Sequence, residues 1–347
     1  MSQDQTRQEL ATGKLSAALL QAEILSRTGR HRPEVLVRAG IGLDSAAIDL
    51  GGDLVILSTD PITGAAGDAG YWAVHICCND IAVYAAEPVA LLLTVLLPEG
   101  SSEDDLRDLA RSAHRAAEEL GIEIAGGHTE ITPAVTTTVL SATAVGRVSR
   151  QRLVTPAGAQ VGDQLILTKA AGLEGTAILA ETFATRLRQA GMDDDALQGA
   201  IDLRWQLSVV PDTRAVRDAG PTAMHDPTEG GVLGAAYELA EAAGLGFVIR
   251  EVAVPVEPVT RELARILEFD PLSLISSGAL MLTVPPDKSR ALLAALAAAG
   301  ISAAVIGEMT EPHQGRLLVR AGGQTETVAD TPRDELWRLL HDYSAEL

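Results

Sequence analysis

Apolar residues recur at helical spacing at Leu15, Leu19, Leu20, Ile24 and Leu25, and Gly29 supplies a stop. Residues 30–49 show no clear period and carry the string GIGLDSAAID. An apolar run over 53–58 predicts a strand that ends at Thr59 and Asp60. A Gly- and Ala-rich loop, 63–70, leads into an apolar stretch at 71–85, which predicts a buried helix containing Asn79 and Asp80. Residues 89–97 form an apolar strand bounded by Pro88 and Pro98. The clearest helix is 101–120: serine caps it, acids fill its first turn, and Leu106, Leu109, Ala113, Ala116 and Leu120 form its inner stripe. Gly121 ends it. A short strand at 122–125 delivers the loop GGHTE, and 136–148 is a further strand. Beyond it, strands are expected at 164–168, 247–252, 280–284 and 303–307, with helices at 176–190, around 238–243 and at 290–299.

Strand alternating with helix predicts an α/β fold. The turn-forming string TPAGAQVGD, within 149–163, marks a linker and divides the 347 residues into domains 1–150 and 151–347. Aromatics are 3% of residues, so the cores rest on Ala, Leu, Val and Ile. The net charge of −20 argues against nucleic acid or an anionic membrane as a partner and suits a protein that holds divalent cations. The two cysteines, Cys77 and Cys78, are adjacent, which leaves no internal disulfide and no cysteine-based zinc site and fits a reducing, cytoplasmic location. The first residues, MSQDQTRQEL, lack the pattern of a signal peptide, and the apolar stretch 88–98 is too short to span a bilayer.

Candidate chemistry begins with acids at turns and strand ends: Asp44, Asp60, Asp68, Asp80 and Asp226. Mg²⁺ takes a few carboxylates from separate loops together with substrate phosphates, and two or three such ions can neutralise a triphosphate without a lysine cradle. Taken singly, each aspartate could cap a helix or turn; Asp60 directly behind an apolar strand favours a shared site. Two glycine loops follow. DPTEGGVLG opens a helix with Gly230 and Gly231, and TKAAGLEGT (168–176) sets Lys169 and Thr176 beside glycines; both suit a phosphate or simply a tight turn. No P-loop or G-x-G-x-x-G string occurs, which disfavours conventional NTPase and Rossmann readings. His128 and His225 lie in loops and are candidates for proton transfer, with Glu130 near His128 as a further metal ligand. Cys77 and Cys78 read as core.

In their order along the chain, GIGLDSAA, STD, the loop with Asp68, CCNDIAVYAAEPV, IAGGHTE, MHDPTEGGV, FDPLSLISSGALMLTV and IGEM resemble the superfamily of aminoimidazole ribonucleotide (AIR) synthase and the hydrogenase maturation factor HypE, from about Gly13 to Met309. The resemblance implies a two-domain PurM-like fold whose N-terminal domains pair into a β-barrel in a homodimer. It implies ATP and Mg²⁺ as cofactors, with Asp44, Asp60, Asp80, Asp226 and Glu130 toward the metal. Asp68, Asn79, Gly126, Gly127, Thr129, Gly230 and Gly231 would face the nucleotide, and His128, His225 and Lys169 would carry the chemistry. The implied reaction activates an oxygen of a small-molecule, amide or carbamoyl acceptor by phosphorylation, with a maturation protein as a further partner. The chain departs from HypE at its end, HDYSAEL, where HypE has a cysteine, and at His128, where AIR synthase and HypE have an acid. The first departure weighs against thiocarbamate dehydration and leaves a non-catalytic nucleotide-binding scaffold as the rival. AIR synthesis and thiamine-monophosphate kinase activity are weaker readings.

Overall fold

The computed structural model describes residues 15–63 and 68–344; residues 64–67 of the expected Gly- and Ala-rich loop, and both chain ends, lie outside them. After a short helix α1 (Ala17–Glu23), the first half builds one six-stranded sheet. Its strands are β1 (Val35–Val37), β2 (Ala46–Asp49), β3 (Leu54–Thr63), β4 (Glu87–Leu97), β5 (Glu123–Ile131) and β6 (Val139–Val148), in the order β1-β2-β3-β6-β4-β5. Neighbours are antiparallel except β4 and β5, which are parallel because helix α3 (Glu103–Leu120) carries the chain across.

Helix α2 (Ala69–Ala82) lies between this sheet and the rest of the molecule, and every one of its residues is buried. That is why its sequence is apolar all round rather than striped. Helix α3 is the opposite case. Ser102 and Asp105 form a capping box, Gly121 closes it in the left-handed region, and Leu109, Ala113, Ala116 and Leu120 face inward while its acids face water.

Three expectations about strands change in this half. The strand expected to stop at Asp60 runs on to Thr63, pairing Asp60 with Ala142 across the sheet. The stretch 30–49 holds two strands, β1 and β2. GGHTE is not a loop but the body of β5, with Gly127 opposite Leu93 of β4. At Gly127 (φ 148°) a Cβ would sit 1.9 Å from the Leu93 carbonyl oxygen, so this glycine serves strand approach.

The second half forms a seven-stranded sheet: β7 (Gln164–Thr168), β8 (Ala223–His225), β9 (Gly246–Arg250), β10 (Met281–Val284), β11 (Ala303–Thr310), β12 (Arg316–Val319) and β13 (Thr325–Thr327), ordered β13-β12-β9-β11-β7-β10-β8. All neighbours are antiparallel apart from β9 and β12. The helix expected over 176–190 breaks at Phe183 into α4 (Leu173–Thr182) and α5 (Ala184–Gln189). Next come α6 (Asp194–Ile201), α7 (Val210–Val216), α8 (Gly231–Ala243), α9 (Pro258–Leu267), α10 (Pro286–Ala298) and α11 (Glu335–Asp342). The mixed α/β class stands, with sheets more antiparallel than the alternation of elements implied.

The two halves share apolar packing. Ile81 and Leu140 from the first belong to one continuous core with Leu207, Val210, Leu282 and Leu296 from the second. Asn79 adds a polar tie: its Nδ2 donates to the Leu207 carbonyl at 2.8 Å, and its Oδ1 accepts from the Val209 N–H at 2.8 Å. No described helix is long and apolar enough to cross a membrane.

Candidate functional site

Four aspartates spread over some 180 positions of sequence meet where the halves join. Asp44 precedes β2, Asp60 is mid-β3, Asp80 lies in the last turn of α2, and Asp226 follows β8. Asp80 feels the charges of Asp60, Asp226 and Asp44, and Asp226 those of Asp44 and Asp60. Ligand atoms of Asp44, His225 and Asp226 all lie within 4.8 Å of one another. Ser58 Oγ is 2.5 Å from Asp80 Oδ2 and 2.9 Å from the Asp44 carbonyl, which ties two of the acids to one hydroxyl of β3.

The electrostatics follow from burial. Asp226 is fully buried, and both of its carboxylate oxygens lack a hydrogen-bond partner. Burial first, then the neighbouring Asp44, pushes its carboxyl up to about 8. Asp80 is held well above the carboxylate range by burial and by Asp60. Acids this close cannot all ionise without a compensating cation, so the donor set fits a hard divalent ion with oxygen ligands.

His225 is the cationic partner the centre contains. Its Nδ1 is 3.2 Å from Asp44 and its Nε2 3.1 Å from Glu238. Burial alone would lower this imidazole, but Asp44 and the bond to Glu238 outweigh it and raise the ring to about 9. It is therefore an imidazolium near neutrality, a clamp on Asp44 rather than a ready base. Glu238 was not singled out in the sequence; the available signal was a lone inward acid among apolar residues of α8, between Tyr237 and Leu239.

The other expected residues lie elsewhere or are engaged. Asp68 sits at the opposite end of α2 and pairs with Arg204 at 3.2 Å. Both polar atoms of the Asn79 amide are used in the tie between the halves. Gly126, Gly127, His128, Thr129 and Glu130 lie on the exposed edge strand β5, where His128 and Glu130 approach to 3.2 Å. Lys169 Nζ donates to the carbonyls of Ser208 (2.8 Å) and Gly278 (2.6 Å) and to Asp212 (2.9 Å). The Gly230 N–H donates to Asp334, and a Cβ on Gly231 would meet the Leu274 carbonyl at 2.6 Å, so this turn is shaped by packing. Thr176 Oγ1 lies 2.9 Å from Thr260 Oγ1 in the interior. Cys77 and Cys78 are core, and burial pushes the Cys77 thiol up to about 12.

Comparison with known proteins places this geometry in context. The model of the AIR synthase related protein N-terminal domain matches residues 42–148, and that of the C-terminal domain residues 160–320. The carbamoyl dehydratase HypE of Cupriavidus necator is 32% identical over 298 residues, covering 81% of each chain. A Methanocaldococcus jannaschii protein, assigned provisionally to hydrogenase expression/formation, is 29% identical over 343 residues, covering 94% of this chain and 96% of its own. A crystal structure of the hydrogenase maturation protein HypE in complex with ATP superposes with a TM-score of 0.69 at 24% identity, covering 94% of this chain and 98% of that one.

Proposed function

The chain belongs to the AIR synthase/HypE superfamily, and we propose on that premise that its acidic centre binds Mg-ATP and activates an oxygen of an amide or carbamoyl acceptor by phosphorylation. The observation that carries this reading is Asp226: a fully buried carboxylate with no hydrogen-bond partner, facing Asp44 and Asp60. Structural carboxylates are normally satisfied, whereas a metal ligand waits for its ion. Asp44, Asp60, Asp80 and Asp226 would hold Mg²⁺, which when bound supplies charge neutralisation for the triphosphate. Within the chain, His225 holds Asp44 in place from Nδ1 and is itself held by Glu238. Ser58 positions Asp80. Burial of Asp80 and Asp226 strengthens each electrostatic contact at the centre. The names of relatives support the choice of acceptor, since C. necator HypE is a carbamoyl dehydratase, and the HypE complex with ATP supports the nucleotide.

A homodimer belongs to the same reading. On β4, Leu92 alternates with the buried Leu91, Leu93, Val95 and Leu97 and is left exposed, beside the unpaired edge of β5. An apolar face beside such an edge is normally covered, which supports pairing of N-terminal domains into a barrel.

Calorimetric titration with a non-hydrolysable ATP analogue tests the centre. Binding is expected with Mg²⁺ and is expected to be lost without it. Equal heats in both conditions, or none in either, refute the proposal. Acceptor-stimulated ADP release then separates an enzyme from a nucleotide-binding scaffold.

A further inference from the structure

Helix α2 hands the chain to β4 through a tight turn just behind Asp80. The N–H groups of Val83, Tyr84 and Ala85 donate to the carbonyls of Asn79 (2.9 Å), Ile81 (3.2 Å) and Ala82 (2.9 Å). Ala85 takes the left-handed region at φ 54°, which a residue with a side chain rarely adopts, so the turn is held against a local cost. It sets the Tyr84 ring in the interior, 0% exposed. The polar groups nearby are engaged. Ser45 Oγ donates to the Asp80 carbonyl at 2.9 Å, and Ser58 Oγ lies between the Asp44 carbonyl and Asp80 Oδ2. The Tyr84 carbonyl accepts from the Val154 N–H at 3.4 Å.

The Tyr84 hydroxyl breaks this pattern: it is buried, and no acceptor lies within hydrogen-bond reach. The backbone of Ser45 lies toward the phenol oxygen, and Asp44, then Asp80, are the charges that reach it. A backbone N–H can only donate, so it leaves the phenol's own proton without an acceptor. Burial, reinforced by Asp44, raises the phenol above its usual range and keeps it a neutral donor. An unsatisfied buried donor is costly, and phenylalanine would fill the same ring volume without that cost. An O–H held inside, one helical turn from Asp80 and under the charge of Asp44, suits an anionic oxygen of the acidic centre.

We propose that Tyr84 is a positioning residue of the acidic centre, whose O–H donates to the Asp44 carboxylate when the centre is occupied. The inference rests on the proposed function and extends it to a residue beyond the four aspartates. Asp44 then takes hydrogen bonds from two sides: from His225, whose Nδ1 lies 3.2 Å from its Oδ2, and from Tyr84. A carboxylate has lone pairs enough for both donors and for a cation. Two donors fix the rotation of the carboxylate, and with it the oxygen that faces the ion. Outer partners of this kind set metal affinity by roughly 10–100-fold.

The test is Tyr84→Phe in the full chain, which removes one oxygen from a buried ring. Mg²⁺ is titrated calorimetrically into protein held with a non-hydrolysable ATP analogue. The Mg²⁺ concentration for half-maximal binding is expected to rise by roughly tenfold, while the melting midpoint of the metal-free protein stays the same or rises. An unchanged Mg²⁺ midpoint in the folded variant overturns the proposal, and a lowered melting midpoint beside it would mark the hydroxyl as structural. A second readout serves if the variant does not fold: ¹³Cζ-tyrosine NMR of the unmodified chain, its four tyrosines sorted by Tyr71→Phe, Tyr237→Phe and Tyr343→Phe. The Tyr84 signal is expected to move when Mg²⁺ and the analogue are added together, and a stationary signal overturns the proposal. The two readings fail separately. No Mg-dependent binding in the unmodified protein defeats the acidic centre and the Tyr84 role with it, whereas Mg-dependent binding at the same midpoint in both proteins defeats Tyr84 alone.

Discussion

Asp226 shows how one residue carries opposed demands. Its carboxylate is buried against like charge, which is costly for the folded chain without a cation and useful once one binds. Replacing Asp226 by Asn is therefore expected to leave the metal-free protein as stable or more so in thermal melts, while weakening Mg-ATP binding by at least about tenfold in calorimetry. A loss of stability with unchanged affinity would mark it as structural. Glu174 gives a pH prediction of its own. Burial, with Asp334 and Glu229 adding to it, raises this carboxyl from the ordinary range to about 7. The folded state thus holds the proton more tightly than the unfolded chain. Its contribution is complete below the unfolded value and is lost as pH rises through the folded one. Between about pH 4.5 and 7 the unmodified protein should lose on the order of 3 kcal/mol through this group. Denaturant titrations of Glu174→Gln across that window should show a flatter profile.

At the scale of elements, helix α3 was legible because its sequence contains both of its ends and its inner stripe, although Leu106, expected in that stripe, is exposed. Strand β5 was not. IAGGHTEI has two adjacent glycines, which locally favour a turn, and only its pairing with β4 makes it extended. Gly127→Ala probes that reason. The new Cβ would collide with the Leu93 carbonyl, so the variant is expected to lose roughly 2–4 kcal/mol in chemical unfolding. A neutral result would mean that the β4–β5 approach is looser. The outer faces of the same strands supply a test of assembly. Leu92, flanked by the buried Leu91 and Leu93, is 47% exposed. If this face pairs two subunits, Leu92→Glu should yield folded monomers by analytical ultracentrifugation. A dimer that survives the charge places the interface elsewhere.

For the whole molecule, the decisive feature is that the halves are not independent. Their shared core and the Asn79 tie fix the distance between Asp60 on one side and Asp226 on the other. Asn79→Ala leaves the Leu207 carbonyl and the Val209 N–H without partners and should cost about 2–4 kcal/mol, read as a lower midpoint in thermal unfolding. The sequence alone determined the mixed α/β class, the capped helices, the buried cysteines and the candidacy of Asp44, Asp60, Asp80 and Asp226, because caps, periodicity and turn residues act over a few positions. Tertiary structure decided the rest: that Asn79 and Lys169 are tied to neighbouring backbone, that GGHTE is a strand, that His225 is clamped between Asp44 and Glu238, and that Glu174 faces Ser277. Those outcomes depend on which distant groups share a buried space. Burial sets both the cost of a charge and the partner that relieves it, and no local pattern encodes burial by itself.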